Sequence, residues 1–198
     1  MPMTKADRTR QHIIEKTAPL FNCKGFDGTS LTELTEVTGL TKGALYGNFT
    51  DKEEIALAAF RYSMGKVKEL VDHELMGAIT CKDQLLALLS FYSKYVFNPP
   101  IAGGCPLLNT AIEADDHHTS MRRVVVKELL QAVNFIRDLI QDGIKKKEFR
   151  PDVDASEVAY TIFCSVEGAL MFSRVERSRE PMDLIVGHCK KILNQISN

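Results

Sequence analysis

Apolar residues recur every three or four positions along most of this chain, which is the spacing of one face of an α-helix. Stretches with this spacing end at glycine, at proline or at a residue that can cap a helix, and they predict nine helices. The sequence contains neither a stretch of alternating apolar and polar residues nor an internal repeat. The predicted fold class is therefore all-α.

Two short predicted helices lie close together between residues 29 and 50. Ser30 and Glu33 match a capping box at the start of the first, in which a hydroxyl accepts from an early N–H and a carboxylate reaches back. Gly39 ends this helix, because a residue without a Cβ adopts the left-handed conformation at little cost. Thr41 can cap the second helix. A short helix, a glycine turn and a second capped helix indicate a helix-turn-helix.

A long helix is predicted directly after this motif, from about residue 51 to residue 76. Thr50 and Glu53 repeat the capping-box pattern at its start. The helix is longer than a three-helix head needs, so we interpret it as a connector into a second domain. The predicted organisation is a three-helix head at residues 1–51, which the helix-turn-helix indicates to be DNA-binding, and a second helical domain at residues 52–198.

Three segments in and around the motif carry a family resemblance. They read Gly-Phe-Asp-Gly-Thr-Ser-Leu at 25–31, Thr-Gly-Leu-Thr-Lys-Gly-Ala-Leu-Tyr at 38–46 and Asn-Phe-Thr-Asp-Lys-Glu-Glu at 48–54. From about residue 8 to residue 60 the chain resembles the TetR family of bacterial transcriptional regulators, and residues 104–109 are similar to a segment of many members. The resemblance implies double-stranded DNA and a small effector as partners.

In a helix-turn-helix, the N-terminal residues of the second short helix meet base edges in the major groove, while flanking groups hold phosphates. We expect Lys42 to donate to guanine or phosphate and Gly43 to let the backbone come close. Tyr46 and Lys52 can reach phosphates, and the resemblance adds the start of the preceding helix. The candidate DNA-binding residues are Thr29, Ser30, Thr41, Lys42, Gly43, Tyr46, Asn48 and Lys52.

The second domain carries aromatic and sulfur-containing residues on several helices. At helical spacing such residues form plain core more often than a pocket, whereas the family resemblance implies an effector site among helices four to eight. Glu167 lies in an apolar run, where a carboxylate is costly unless it is paired; we favour a structural role over contact with a cationic ligand. The candidate effector-binding residues are Phe60, Met64, Phe91, Tyr92, Tyr95, Cys105, Asn109, Glu113, Phe135, Phe163 and Glu167.

The eighth predicted helix is apolar on nearly every face between residues 158 and 172. One chain's own core does not easily cover a helix of this kind, which favours a four-helix seam between two copies. Burial within a single chain is the alternative. The candidate homodimer residues on the last two helices are Val158, Ile162, Val166, Ala169, Ile185, Cys189 and Ile192. Two heads related by a twofold axis would bind a palindromic operator, with half-sites about 34–36 Å apart or a multiple of that distance.

Composition limits these possibilities further. A net charge of −1 argues against a general nucleic-acid binder, so any DNA contact must be local. The sequence shows neither a signal peptide nor a run of about 18 apolar residues. Its five cysteines include no C-x-x-C pair, which favours reduced thiols. We therefore expect a cytoplasmic protein without a membrane partner.

Two other classes of function stay open beside a ligand-responsive repressor. A thiol-based sensor of oxidants or electrophiles would bind DNA and act through Cys105. An enzyme would need a nucleophile, a base and an orienting group, and no motif provides them; neither an enzyme nor a cofactor is predicted. The tract Asp115-Asp116-His117-His118 could place at most two ligands on one ion, because adjacent helical residues point about 100° apart. No metal site is predicted.

Overall fold

In a computed structural model, residues 3–115 and 118–198 are described. They form nine α-helices and no β-strand, apart from an isolated bridge between Phe149 and Ser197. The predicted all-α fold class is confirmed. In chain order the helices are α1 (Lys5–Lys24), α2 (Leu31–Thr38), α3 (Lys42–Tyr46), α4 (Lys52–Leu75), α5 (Cys81–Tyr95), α6 (Pro106–Ala114), α7 (Thr119–Lys145), α8 (Ala155–Glu176) and α9 (Glu180–Ile196).

The described residues group into two compact units. The first comprises residues from 1–67 and 99–125, and the second comprises residues 68–98 and 126–198. The first unit thus contains α1, α2 and α3 together with α6, while α4 and α7 contribute to both units. This grouping does not test whether the DNA-binding domain ends at residue 51, so that boundary stays a prediction.

One buried apolar cluster holds the first four helices together. It contains one residue from each of α1, α2, α3 and α4, and one from the turn before α4; none is more than 3% exposed. Each of the four helices gives up its apolar face to the same core, so α3 is positioned by packing despite being only five residues long. The members are Ile13, Leu34, Leu45, Phe49 and Ile55.

The local signals predicted for α2 and α3 are present. Ser30 Oγ accepts from the Glu33 N–H at 3.3 Å, and Glu33 Oε2 accepts from the Ser30 N–H at 2.8 Å. Gly39 follows α2 with φ 67° and ψ 17°, the left-handed conformation that glycine adopts cheaply. Thr41 Oγ1 accepts from the Ala44 N–H at 3.2 Å, which caps α3. The helix-turn-helix is confirmed as a local structure.

The predicted capping box of α4 is wrong by one residue. Asp51 Oδ1 accepts from the Glu54 N–H at 2.8 Å, and Glu54 Oε2 accepts from the Thr50 N–H at 2.7 Å. The carboxylate is that of Glu54 and not of Glu53, because α4 begins at Lys52 and its third residue is Glu54.

The second unit is built on a core shared by four helices. Residues from α5, α7, α8 and α9 are completely or almost completely buried in it, and α9 packs against both α8 and α5. This packing leaves one face of α8 covered and the opposite face exposed, which decides the interpretation of the dimer residues below. The largest fully buried side chains of this unit include Leu85, Leu89, Ile140, Leu170 and Leu193.

Candidate nucleic-acid interface

The N-terminal end of α3 is exposed to solvent. Thr41, Lys42 and Gly43 are all exposed, and among the described residues the Lys42 ammonium has no hydrogen-bond or ion-pair partner. A Cβ built on Gly43 would meet only Thr41 Oγ1, at 3.9 Å, so the protein itself leaves this space open. An exposed cation beside an open backbone can meet a partner without first breaking an internal contact.

Arg10 fixes the junction between α3 and α4. Its Nη1 donates to the carbonyl of Asn48, and its Nη2 donates to Glu54 Oε1 at 2.5 Å. Its guanidinium also lies 3.9 Å from the centroid of the Phe49 ring. The Thr50 N–H and the Arg10 guanidinium together lower the pKa of Glu54 to about 2. Sequence reasoning missed Arg10, since a basic residue on the polar face of a helix gives no signal of a partner 38 residues away.

Three other candidate residues surround this surface and have contacts of their own. The Ser30 hydroxyl is exposed and donates to Glu33 Oε2 at 2.8 Å. Asn48 Nδ2 donates to the carbonyl of Ala44 at 2.8 Å, which leaves its Oδ1 as the available group. The half-exposed Tyr46 has no side-chain hydrogen bond among the described residues. Hydroxyl and amide groups of this kind are the ones that contact phosphates.

The assignment of Thr29 as a DNA contact is wrong for its side chain. Thr29 is 1% exposed, and its hydroxyl donates to the carbonyl of Gly25 at 2.6 Å. It therefore closes the turn between α1 and α2 from the inside and does not present its hydroxyl at the surface.

Lys52 is half-buried, and its ammonium lies 4.4 Å from the centroid of the Phe26 ring. A cation over a ring face gains about 0.5–1 kcal/mol when exposed and more when it is desolvated. Contact with a phosphate would require the Lys52 side chain to leave this ring. The Lys42 side chain has no such contact to break.

Two candidate effector residues of α6 bond to other parts of the first unit instead: Glu113 to the turn between α1 and α2, and Asn109 to α1. Glu113 Oε2 accepts from the Phe26 N–H at 2.6 Å, and Oε1 accepts from the Asp27 N–H at 2.7 Å. Asn109 Nδ2 donates to the carbonyl and to the side-chain oxygen of Asn22, at 2.9 and 3.1 Å. Both oxygens of Glu113 are thus used within the protein. The assignment of both residues as effector contacts is corrected to a structural one.

The loop before α6 completes this arrangement, which we call the polar clasp and define as Asn22, Asn109 and Glu113. Asn22 Nδ2 donates to the carbonyls of Ala102 and Gly104, at 2.8 and 3.0 Å. Gly103 has φ 105°, and a Cβ there would lie 2.6 Å from the Asn22 carbonyl oxygen. Only glycine therefore allows the loop to approach α1 this closely.

The cavity that lies against the polar clasp is small. Phe60 and Glu113 line it together with Ser63 and Thr110, and it encloses about 20 Å³. A space of this size holds about one water molecule. Phe60 is buried and Met64 is half-buried in this unit, and the cavity that Phe60 lines is too small to be a preformed effector pocket.

The remaining candidate effector residues lie in the second unit. Phe91, Tyr95, Phe163 and Glu167 are buried, whereas Phe135 is 39% exposed. The Phe91 ring lies 5.2 Å from the Tyr95 ring and 5.3 Å from the half-buried Tyr92 ring, at the separations of packed aromatic pairs. These contacts support the interpretation of the α5 aromatics as core.

The cysteines are free thiols, and Cys105 is not an accessible one. It is 9% exposed, and its Sγ accepts from the Leu108 N–H at 3.4 Å at the start of α6. In the second unit, burial raises the pKa of the Cys81 thiol despite the Lys146 ammonium 3.6 Å away. A raised pKa makes the Cys81 thiol a poor source of thiolate.

The acidic and histidine tract is only partly described. Asp116 and His117 lie outside the described residues. His118 Nε2 lies 3.3 Å from Asp27 Oδ2, and its ring packs edge-on against Phe26 with centroids 4.9 Å apart. Within the described part of the chain no three His, Cys, Asp or Glu residues are arranged to hold a metal ion.

Four of the predicted dimer residues are not available to contact a second copy. Ile162, Val166, Ala169 and Cys189 are buried within the chain itself, and the other three are half-buried. Because α8 is apolar on nearly every side, its sequence does not reveal which side α9 covers. The large apolar residues exposed on α8 and α9 are Tyr160, Met171, Phe172, Val175 and Leu184.

Comparison with known families decides the identity. Residues 13–59 match the family described as "Bacterial regulatory proteins, tetR family", and residues 81–189 match "Tetracyclin repressor-like, C-terminal domain". The chain belongs to the TetR family of bacterial transcriptional regulators. It is therefore a ligand-responsive DNA-binding regulator, and the predicted resemblance is confirmed.

Individual TetR-family proteins are similar to this chain over most or all of its length. A regulator from Cytophaga hutchinsonii of known crystal structure is 42% identical, with a TM-score of 0.92 and coverage of 100% of this chain and 98% of that one. A second, from Chloroflexus aurantiacus, is 37% identical with a TM-score of 0.94, covering 98% of both chains. The transcriptional repressor DhaR of Mycobacterium sp. (strain GP1) is 23% identical, covering 88% of this chain and 86% of DhaR.

Proposed function

We propose that this TetR-family chain is a cytoplasmic repressor that binds a palindromic operator as a homodimer and is released by a small effector. The observation that carries the proposal is the exposed N-terminal end of α3, held on a fixed frame. Lys42 and Gly43 are open to a partner there, while Arg10 and the apolar cluster fix the helix behind them. Regulation by binding needs neither catalysis nor a cofactor, so no catalytic role is proposed.

The proposed DNA contacts divide into two kinds. Thr41, Lys42 and Gly43 meet base edges in the major groove, where a lysine can donate to guanine. Ser30, Tyr46, Asn48 and Lys52 hold the phosphates that fix the register of the head; their contacts carry no sequence information directly. We assign Lys42 the larger share of specificity, because its ammonium, unlike that of Lys52, has no internal partner among the described residues.

The proposed dimer uses the exposed face of α8 together with Leu184 of α9. Tyr160, Phe172 and Val175 lie on this face, and Val175 is 83% exposed. Gly168 lies among them, and a Cβ there would meet nothing within 4 Å of its own chain. Among the described helices, α8 is long and apolar enough to cross a membrane, a test that core helices of soluble proteins also pass. Membership of a family of DNA-binding regulators favours a second copy as the covering surface.

The proposed effector acts by selecting a conformation. A ligand shifts an equilibrium only by its differential affinity, so the effector must bind the DNA-incompetent state more tightly. The cavity beside the polar clasp has room for about one water molecule. An effector that binds there must therefore stabilise a more open state of the first unit than the one described.

Substitution of Gly43 tests whether α3 is seated in the major groove. Since the free protein leaves space around this position, Gly43→Val should fold and dimerise as the parent does. Against the base edges a β-branched side chain should clash and abolish operator binding. Gly43→Ala adds one carbon and should weaken binding less.

Fluorescence anisotropy on a duplex selected from random sequences would measure binding, with circular dichroism and sedimentation as controls. A folded, dimeric Val variant that binds the selected duplex as tightly as the parent would contradict the seating of α3. Failure of the parent itself to select any duplex would contradict the proposed function.

A further inference from the structure

The head has no surplus of positive charge with which to hold DNA. Residues 1–54, which are the head and the start of α4, contain seven Lys and Arg against eight Asp and Glu. Binding to a phosphate backbone therefore depends on where the uncommitted cations lie and not on net charge.

Several cations of the head are already engaged inside the protein. Arg10 is paired with Glu54, Lys24 is paired with Glu33, and the Lys52 ammonium lies over the Phe26 ring. Within the described residues, the cations of the head that have neither a side-chain hydrogen bond nor an ion pair are Lys5, Arg8, Lys16 and Lys42.

Two of these cations line an open groove at the edge of the helix-turn-helix. Lys5, Arg8, Thr9 and His12 recur at the spacing of one face of α1, and Leu40 contributes from the turn between α2 and α3. The groove has a volume of about 360 Å³. Both Lys5 and Arg8 are exposed, so their charges are available in solution.

The groove has a fixed wall. His12 Nε2 lies 2.9 Å from the carbonyl of Thr38 at the end of α2, and a carbonyl only accepts, so the ring nitrogen donates. This bond holds α1 against the C-terminal end of α2. The nearest acidic residue on α1 is Asp7, which points about 100° away from Arg8 around the helix. Its carboxylate accepts from the N–H and the hydroxyl of Thr4, at 3.0 and 2.8 Å.

The groove continues into the proposed base-reading surface. Leu40 lines it, and the next two residues are Thr41 and Lys42 at the N-terminal end of α3. We propose that Lys5 and Arg8 bind the phosphodiester backbone of the DNA strand beside α3, which makes the first two turns of α1 a second phosphate-binding surface. This inference rests on the proposed function and extends it to residues outside the helix-turn-helix.

The double variant Lys5→Ala/Arg8→Ala tests it. Alanine is a good helix former, so α1 should persist. Each lost phosphate contact removes the release of about 0.9 counterion, which corresponds to roughly tenfold in affinity near 0.1 M salt. The dissociation constants for the selected operator and for an unrelated duplex should rise by the same factor. The slope of log K against log salt concentration should become shallower by about two per protomer.

The matched control is Lys127→Ala/Lys190→Ala, which removes the same charge from two exposed positions of the second unit. It should leave both the affinity and the salt slope unchanged. A double variant of α1 that keeps the parent's salt slope, or that loses affinity only for the operator, would overturn the inference. A parent chain that binds no duplex at any salt concentration would instead overturn the proposed function.

Discussion

Replacing Glu113 by alanine removes the acceptor from two backbone N–H groups at once. The Phe26 N–H is part-buried, whereas the Asp27 N–H is exposed and can turn to water. A hydrogen bond to a charged group contributes about 1.5–3 kcal/mol, and a donor that regains water loses less than one that cannot. We therefore expect Glu113→Ala to lower the free energy of unfolding by roughly 2–4 kcal/mol.

Two further variants separate the effect of losing the hydrogen bonds from the effect of substituting a residue of α6. Glu113→Gln keeps one acceptor oxygen without the charge, so it should lose about half as much stability. Ile112→Ala changes the neighbouring residue of α6, whose side chain is 69% exposed, and should stay within about 0.5 kcal/mol of the parent.

Urea denaturation followed by circular dichroism would rank the three variants. Hydrogen exchange would report locally, because the amides of Phe26 and Asp27 should exchange faster in Glu113→Ala and be little changed in Ile112→Ala. If Glu113→Ala is as stable as Ile112→Ala and protects both amides as the parent does, the polar clasp does not hold this turn.

Two other predictions concern the dimer and acid stability. Phe172→Glu should convert the dimer to a folded monomer at micromolar concentration in sedimentation experiments, because an unpaired charge is costly in an apolar interface; Ile79→Glu, at a site 87% exposed, is the control, and a dimeric Phe172→Glu would refute the assigned face. The pKa of Glu54 is lowered from its ordinary value of 4.5 to about 2, so the stability it contributes is complete above about pH 4.5 and is lost as the pH falls towards 2. The difference in urea midpoint between the parent and Glu54→Gln should shrink over that range, and a difference that is constant down to pH 2 would refute the pairing with Thr50 and Arg10.

Short-range signals explain why the helix-turn-helix could be predicted from sequence. Ser30 caps a residue three positions away, and Gly39 and Thr41 act within one turn of the chain. Even the error at Glu53 is a displacement by one residue within the same turn. Local signals of this kind can be recognised within a window of about five residues.

The misassigned residues have partners that are distant in sequence. Glu113 bonds to residues 86 and 87 positions earlier, and no property of α6 alone distinguishes this role from effector binding. The resemblance assigned Thr29 to the DNA-binding surface, but its burial depends on how the turn between α1 and α2 folds back. Val166 and Phe172 are both apolar residues of α8, and only the way the chain packs around α8 makes one internal and the other exposed.

The frame around α3 has a consequence for how operator preference can evolve. Lys42 makes no side-chain bond in the described part of the protein, and the open space at Gly43 accepts an added methyl group. Stability resides behind them, in Arg10 and in the cluster that includes Leu45. On the proposed assignment of Lys42 and Gly43 to base reading, substitutions at 42 and 43 change the preferred sequence at almost no folding penalty. Duplicated copies of such a gene could then diverge in target through few mutational steps while each intermediate protein still folds.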